Sequence, residues 1–451
     1  MLGALGGLSR EDVWDVRPLD ARGARMRQQA AKKHPENVAT VLCLRTVKAP
    51  NGRYLSTPAE AVAVELWEEL PSGSSNADGA SYPAGTLRRR HSTRNTLVEY
   101  LSPEVWRRAI DSCDSRIELP APHIRRVTEP IDLVYTWVDG TDPAWRARML
   151  AERDDVDPAA VEESATAESR FTSRDELRFS LRSVEYYASW FNHIYLVTDG
   201  QVPDWLDLNH PKLTVVDHKE IFADTAALPV FNSHAIESQL HHIAGLTDRY
   251  VYLNDDVFFM RPTDPELFFE GNGLAKFFPS IVPLDIRAVT DGDLPVMTAA
   301  KRGREYLEER NQRSVTHRFK HTPHPQVKSV LEAMEADAPG VFASVAASSF
   351  RHVDDLSIAS SLHHLEAYVR GKAVEGQLSY QFIDLASNDL GLRLDRARRR
   401  QDLDVLCLNE TSVPSDAESR IAEEVKDFLA DRFPVASSFE RLTDSSFRRG
   451  I

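Results

Sequence analysis

Cysteine is scarce in this chain. Its 451 residues contain three, Cys43, Cys113 and Cys407, far apart and without a CxxC pair. That excludes a disulfide framework and a thiolate zinc site. Long apolar runs are missing as well, and no stretch reaches the roughly 18 apolar residues that a membrane span needs. The first eight residues are apolar, but no charged segment precedes them and Arg10, Glu11 and Asp12 follow closely. They do not read as a signal peptide. The expectation is a soluble, reduced, cytoplasmic protein without a transmembrane segment, at most peripheral to the inner face of a membrane. Positive charge is also in deficit, with 54 Lys and Arg against 69 Asp and Glu, a formal net charge of −15. Residues 1–130 hold 19 basic and 16 acidic side chains, so the rest of the chain carries −18. Nucleic acid is thereby excluded as the main partner, because phosphate backbones select a basic footprint. What is present, 42% hydrophobic and 27% charged residues, is ordinary globular usage for two or three units with one large core.

Residues 1–127 read as a small accessory α+β unit. It should have a helical or loosely ordered arm over 1–36, a strand over 38–48, a turn at 50–52, a helix over 58–70 and a loop over 71–84. From Ile131 the pattern changes. Four β-rich apolar runs, 131–138, 193–198, 212–216 and 249–253, alternate with helical patterns. Leu177, Leu181 and Val184 recur at i, i+4 and i+7 over 175–187, and Ile236, Leu240 and Ile243 do the same over 233–243. Strands alternating with helices imply an α/β fold with a mostly parallel sheet flanked by helices. Residues 151–168, acidic and rich in Ala and Ser, are expected to be a mobile insertion in a domain spanning 128–441. Residues 442–451 form a tail.

Each of the four runs ends in acid: Asp139, Asp199, Asp217, and the pair Asp255-Asp256 after Asn254. Ligands of open α/β sheets sit outside the carboxyl ends of the strands. One such acid is a turn residue, but converging carboxylates repel one another and any anionic substrate unless a divalent cation sits among them. Oxygen donors point to Mg²⁺ or Mn²⁺.

The same segments carry a family resemblance. IDLVYTWVDG (131–140) resembles the first conserved region of the Stealth family. RDELRFSLRS (174–183), IYLVTDGQVPDWL (194–206), VVDHKEIF (215–222), LPVFNSHAIE (228–237) and YVYLNDDVF (250–258) resemble the second. His321-Thr-Pro-His324 through SFRH (349–352) resembles the third, and CLN (407–409) through FPVASSFE (433–440) the fourth. The fourth region usually reads CLND, and Glu410 departs from it. The family comprises sugar-1-phosphate transferases of bacterial capsules and the animal lysosomal-enzyme GlcNAc-1-phosphotransferase. The resemblance implies a GT-A-like fold and transfer of a hexose-1-phosphate from a UDP-sugar to a hydroxyl of a glycan or polysaccharide acceptor, with release of UMP. Two alternatives stand beside it: a metal-dependent glycosyltransferase that releases UDP, and a non-catalytic nucleotide-sugar-binding module.

For the site, the resemblance implies Glu237, Asp256, His321 and Arg351 as catalytic residues and Asp256 with Asp255 as metal ligands. His321 would be a general base or a donor to phosphate, and Arg351 would neutralise charge on the transferred group. Asp139, Asp199, Asn232 and Ser233 are candidate substrate-binding residues, although N-capping is the simpler role for Asn232 and Ser233. Arg178 and Arg182, at i and i+4, either pair with Glu185 or present cations to phosphate. Ser173-x-x-Glu176 has the form of a capping box. Trp137, Trp190 and Trp205 are assigned to the core.

Overall fold

The protein is described by a computed structural model over residues 14–45, 60–91, 98–112, 121–155, 173–290, 293, 295–352, 354–409 and 417–441. The chain divides into two units, Met1–Ile124 and Arg125–Ile451. In the first, β1 (Trp14–Leu19), β2 (Thr40–Arg45) and β3 (Val62–Glu65) form an antiparallel sheet, and β4 (Trp67–Glu69), β5 (Leu87–Arg89) and β6 (Tyr100–Leu101) form another. Helices α1 (Gln28–Lys33) and α2 (Pro103–Asp111) complete it, α2 opening on Ser102, whose Oγ accepts from the Val105 amide. The unit is α+β, as expected, but two of its segments are corrected. The arm over 1–36 contains strand β1. The helix expected over 58–70 is two strands, because Val62 and Val64 alternate with period two and pair with β2 in the register Leu42↔Ala63. Val64 packs on Val16, Val38, Val41 and Cys43, while Val62, at the start of the strand, is exposed. The expected turn at 50–52 lies outside the described residues.

The second unit is α/β. Its main sheet has the order β15 (His324–Val327), β10 (Arg249–Asn254), β7 (Ile131–Thr136), β8 (Ile194–Thr198), β9 (Leu213–Asp217). Strands β10, β7, β8 and β9 are parallel, and only the edge strand β15 is antiparallel. The chain runs outward from β7 through β8 to β9 and then returns to place β10 on the other side of β7. Such a reversal opens a crevice at the carboxyl ends of the central strands. Helices α3 (Pro143–Asp155), α4 (Glu176–Tyr187), α5 (His218–Ile221) and α6 (Ser233–Glu237) lie between these strands in the chain. Residues 151–155, expected as the start of a mobile insertion, instead close α3; the rest of that insertion lies outside the described residues. The helix expected over 233–243 is also shorter, α6 giving way to a 3₁₀ turn at Leu240–His242.

Leu177, Leu181 and Val184 of α4 are fully buried, as their spacing requires. The hydroxyls of Ser180 and Ser183 fasten the same face to β11 (Val257–Phe259), Ser180 donating to the Val257 carbonyl (2.6 Å) and Ser183 accepting from the Phe259 amide (3.0 Å). Strand β11 pairs antiparallel with β18 (Val405–Asn409), which runs parallel to β17 (Tyr380–Asp384). Two-stranded pairs join β12 (Ala275–Phe277) to β16 (Ala373–Glu375) and β13 (Pro279–Pro283) to β14 (His317–Phe319). The remaining helices are α7 (Pro295–Asn311), α8 (Lys328–Asp337), α9 (Pro339–Ala346), α10 (His363–Val369), α11 (Leu390–Arg399) and α12 (Glu418–Arg432). Among the described residues no helix is long and apolar enough to cross a membrane.

Beside the edge strand, buried imidazoles replace backbone partners. His363 Nε2 accepts from the Val327 amide at 3.0 Å, and His324 Nδ1 lies 3.1 Å from His364 Nε2. Burial holds His363 down to about 3. A folded-state pKa below the unfolded value of about 6.5 means that the unfolded chain binds the proton first, so this stabilisation is complete above pH 6.5 and is lost as pH falls toward 3. Between pH 6.5 and 5 the loss is about 2 kcal/mol for His363. Denaturant unfolding of the wild type and His363→Gln at both pH values measures it. The stability gap between the two should narrow by that amount at pH 5, and a gap independent of pH would show that the imidazole is not held neutral.

Candidate active site

The carboxyl ends of the parallel strands enclose a cavity of about 310 Å³. Thr136, Trp137 and Val138 follow β7, Val197 and Asp199 come from β8, and Asn254, Asp255 and Asp256 from β10; Arg174, Glu176, His321, Arg351 and Asn409 also line it. The volume falls at the lower end of small-molecule sites.

Asp256 is the best-anchored group. The turn between β10 and β11 places it opposite β18, where the Val257↔Cys407 register brings Asn409 to its side. Its carbonyl accepts from the Leu408 amide (3.0 Å), and its Oδ2 accepts from the Asn409 amide and, at 3.7 Å, from the Cys407 thiol. Oδ1 is buried, makes no hydrogen bond, and lies 3.5 Å from His321 Nε2. A buried carboxylate oxygen without a donor costs about 1–3 kcal/mol or more, so this atom calls for a positive partner. Cys407 stays a thiol, its pKa raised well above the ordinary range by burial and by the Asp256 charge.

Asp255 and Glu176 share the cavity wall. Asp255 is raised well above the usual carboxyl value, first by desolvation and then by the charges of Glu176 and Asp256. Desolvation also raises Glu176. The neighbouring carboxylates thus add to the burial that disfavours ionisation of Asp255. The carboxylate oxygens of Asp255 and Asp256, the unsatisfied Oδ1 among them, could hold a hard ion. His321 Nε2 lies 2.9 Å from the Asn254 amide nitrogen. Burial opposes its charge, but the Asp256 carboxylate 3.5 Å away, with a contribution from Glu237, outweighs it and raises its pKa. Arg351 Nη2 donates to Ser233 Oγ at 3.0 Å.

Several residues expected in the site act from behind it. Asn232 caps α6, its Oδ1 accepting from the His234 amide at 3.1 Å, while its amide nitrogen donates to the Ser348 and Phe350 carbonyls (3.2 Å each) and to Asp355 (2.7 Å). It therefore clamps the segment that carries Arg351. Glu237 is buried. It accepts from the Tyr252 hydroxyl at 3.3 Å and from Ser360 at 2.9 Å, the latter in a π-helical turn at Ile358–Leu362. Asp199 reaches the cavity but is paired with Arg148 at 2.6 Å. Asp139 is directed to a turn, accepting from the Thr141 amide (2.8 Å) and hydroxyl (2.6 Å). Asp217 caps α5. Neither Asp139 nor Asp217 is among the lining residues.

Two local expectations are corrected. Arg178 and Arg182 do not pair with Glu185 and are not among the lining residues; both are held by Glu440, and Arg182 also donates to the Phe433 carbonyl (2.8 Å). Ser173 does not cap α4. Asp175 occupies that position with φ of 64°, and Glu176 turns back to the Arg174 amide and guanidinium. Trp137, Trp190 and Trp205 all pack against the core, as expected, and Trp137 lines the cavity as well. Asn254, Asn409 and Arg174 were not singled out. Asn409 stood within the quoted CLN motif, and Arg174 opened RDEL, but only the β11–β18 register shows what Asn409 meets. Glu410 lies outside the described residues.

An α/β domain with a cavity lined by acids at its strand ends is the class defined by this fold and site. All four conserved regions of Stealth proteins match: region 1 over residues 129–157, region 2 over 170–277, region 3 over 320–368 and region 4 over 395–449. An exopolysaccharide phosphotransferase of Nocardia farcinica is 36% identical over 392 residues, 87% of this chain and 75% of that protein. The chain belongs to the Stealth family. Exopolysaccharide phosphotransferase SCO6023 of Streptomyces coelicolor is 46% identical over 314 residues, 69% of this chain and 52% of the relative. CpsY of Mycobacterium tuberculosis, with the same descriptive name, is 38% identical over 331 residues, 73% and 61% of the two chains. The chain spans about half the length of the Streptomyces coelicolor relatives it matches. Among solved structures, a galactosyltransferase LgtC complex covers 71% of this chain and 100% of its own, at 10% identity and a TM-score of 0.34.

The Glu440 pairs give a direct test of the revised arginine roles. Removing one member of a buried ion pair strands the other charge, at about 3–5 kcal/mol. Glu440→Gln should therefore lower stability by about that amount, and Arg178→Ala, at the more exposed end, by about 1 kcal/mol. Denaturant unfolding reads both. A Glu440→Gln protein as stable as the wild type would release Arg178 and Arg182 for another role.

Proposed function

We propose that this chain transfers a hexose-1-phosphate from a UDP-sugar to a hydroxyl of a glycan acceptor during exopolysaccharide synthesis, using Mg²⁺ or Mn²⁺ and releasing UMP. The observation that carries the reading is the unsatisfied Oδ1 of Asp256, facing one cavity with Asp255, His321 and Arg351. Membership of a family whose relatives are named exopolysaccharide phosphotransferases supports the reaction class.

Asp255 and Asp256 would hold the cation, which when bound supplies charge neutralisation for a diphosphate. The protein's own groups do the rest. Asn409 and the β18 backbone keep Asp256 in one orientation. Arg351, steadied by Ser233 and by the Asn232 clamp, offers a guanidinium to the phosphoryl oxygens, where charge is greatest in the transition state. The acceptor oxygen forms a bond to the sugar-bearing phosphorus as the bond from that phosphorus to the UMP oxygen breaks, and the acceptor proton passes to His321. His321 Nε2, 3.5 Å from Asp256 Oδ1 on the cavity wall, is placed to take that proton. Glu237, held by Tyr252 and Ser360, adds negative potential behind His321. Trp137 and Val138 supply an apolar wall for a base or a sugar face.

Incubation with a panel of UDP-sugars and a glycan acceptor, followed by phosphorus NMR, tests the proposal. UMP with a new phosphodiester signal is expected. UDP release would establish the glycosyltransferase reading instead, and tight UDP-sugar binding without turnover the non-catalytic one. Chelation should abolish turnover, and Mg²⁺ or Mn²⁺ should restore it.

Asp256→Asn and His321→Ala should each lower turnover about 10²-fold or more, and Arg351→Ala about 10³-fold. Circular dichroism should show an intact fold. A near-wild-type rate in any of the three removes that residue from the mechanism.

A further inference from the structure

A second convergence of metal-ligating side chains lies outside the cavity. His241 and His242 occupy the 3₁₀ turn that follows α6, and Glu335 lies near the end of α8. His241 Nε2 is 2.8 Å and His242 Nε2 2.9 Å from the same oxygen, Oε2 of Glu335. One ligand atom from each residue falls within a span of 4.8 Å. None of the three lines the strand-end cavity.

The protonation of His242 is decided by its far side. Its Nδ1 is 2.8 Å from the carbonyl oxygen of Ile221, and a carbonyl only accepts, so Nδ1 carries the hydrogen. The neutral ring then turns its Nε2 lone pair toward a carboxylate oxygen at 2.9 Å. Two lone pairs at this separation require something positive between them, either a further proton or a metal ion. A backbone acceptor that fixes the tautomer and frees Nε2 is the support that metal-binding histidines use. The His241 side chain is fully buried and stands edge-on to Phe342, with centroids 5.8 Å apart, so its orientation is set before any ligand arrives. About a quarter of the His242 and Glu335 side chains remains exposed, which leaves an entry path and a fourth position for water.

We infer that His241, His242 and Glu335 form a Zn²⁺ site distinct from the strand-end cation site. Two imidazole nitrogens and one carboxylate oxygen suit a borderline ion such as Zn²⁺. Bonds of about 2.0 Å space tetrahedral ligands by about 3.3 Å, so the carboxylate must swing outward by about half an ångström, which its partly exposed side chain permits. The ion would tie the turn behind α6, the helix that carries Ser233 and Glu237, to α8, while Ile221 at the end of α5 supports His242. Its role is to stiffen the scaffold behind the cavity rather than to touch substrate.

The test uses the full chain, stripped of metal, loaded with Zn²⁺ and dialysed, with bound zinc measured by mass spectrometry. His242→Ala and Glu335→Gln should each retain one equivalent less than the wild type, while His321→Ala retains it. Zinc should raise the thermal midpoint of the wild type by a few degrees and leave that of His242→Ala unmoved. The Co²⁺-loaded protein should show tetrahedral ligand-field bands without thiolate charge transfer, and these bands should vanish in His242→Ala. Equal zinc in the wild type and both variants would overturn the proposal and reduce the trio to an imidazolium–carboxylate pair. A thiolate band would also overturn it, by placing the ion at Cys407. Because Glu335→Gln is nearly isosteric and removes a partly exposed ligand, it still decides the question if His242→Ala fails to fold. None of these readouts depends on turnover.

Discussion

The repulsion among Glu176, Asp255 and Asp256 is the constraint on which the rest of this molecule turns. Three carboxyls are brought to one end of a parallel sheet, and desolvation, with a smaller contribution from the neighbouring carboxylate charges, raises Asp255 and Glu176. The surrounding structure keeps them together all the same. Strand β18 pins Asp256 from one side through Asn409 and the Leu408 amide. Arg174 faces Glu176 from another. The protein's own positive groups at this end of the sheet are Arg174, His321 and Arg351.

The cations already present fall into two groups. Some are committed to the scaffold: Arg178 and Arg182 to Glu440, and Arg148 to Asp199. Others, His321, Arg174 and Arg351, border the cavity. The acidic bias of the larger unit therefore does not conflict with handling an anionic diphosphate. Its charge is locally organised, with carboxylates at the strand ends and cations facing them, and the net figure of −15 says little about the potential that a ligand meets.

How far the sequence was legible varies with the kind of interaction. The four strand runs and the helix over 175–187 were read within a few residues of their observed limits, because each buries one face and periodicity records burial directly. The helix expected over 58–70 failed for the opposite reason. That segment is short and its alternation weak, and partner β2, distant in sequence, decides its state. Ser173-x-x-Glu176 looked like a cap because the motif is local, yet Glu176 is drawn into the cavity wall by tertiary burial. Arg178 and Arg182 have the spacing of surface residues, but their partner lies some 260 positions away in sequence.

By itself the sequence determined the alternating α/β pattern, the acids at the strand ends and the identity of the groups that resemble a phosphotransfer site. Those properties follow from local periodicity and residue chemistry. Only the tertiary structure decided which acids converge: Asp255 and Asp256 meet Glu176 and His321, while Asp139 and Asp217 are taken up by turns and caps. It alone showed that Asn232 and Glu237 work from behind the cavity and that His241, His242 and Glu335 meet at all. Side chains distant along the chain become neighbours through strand order and register, which no local pattern encodes.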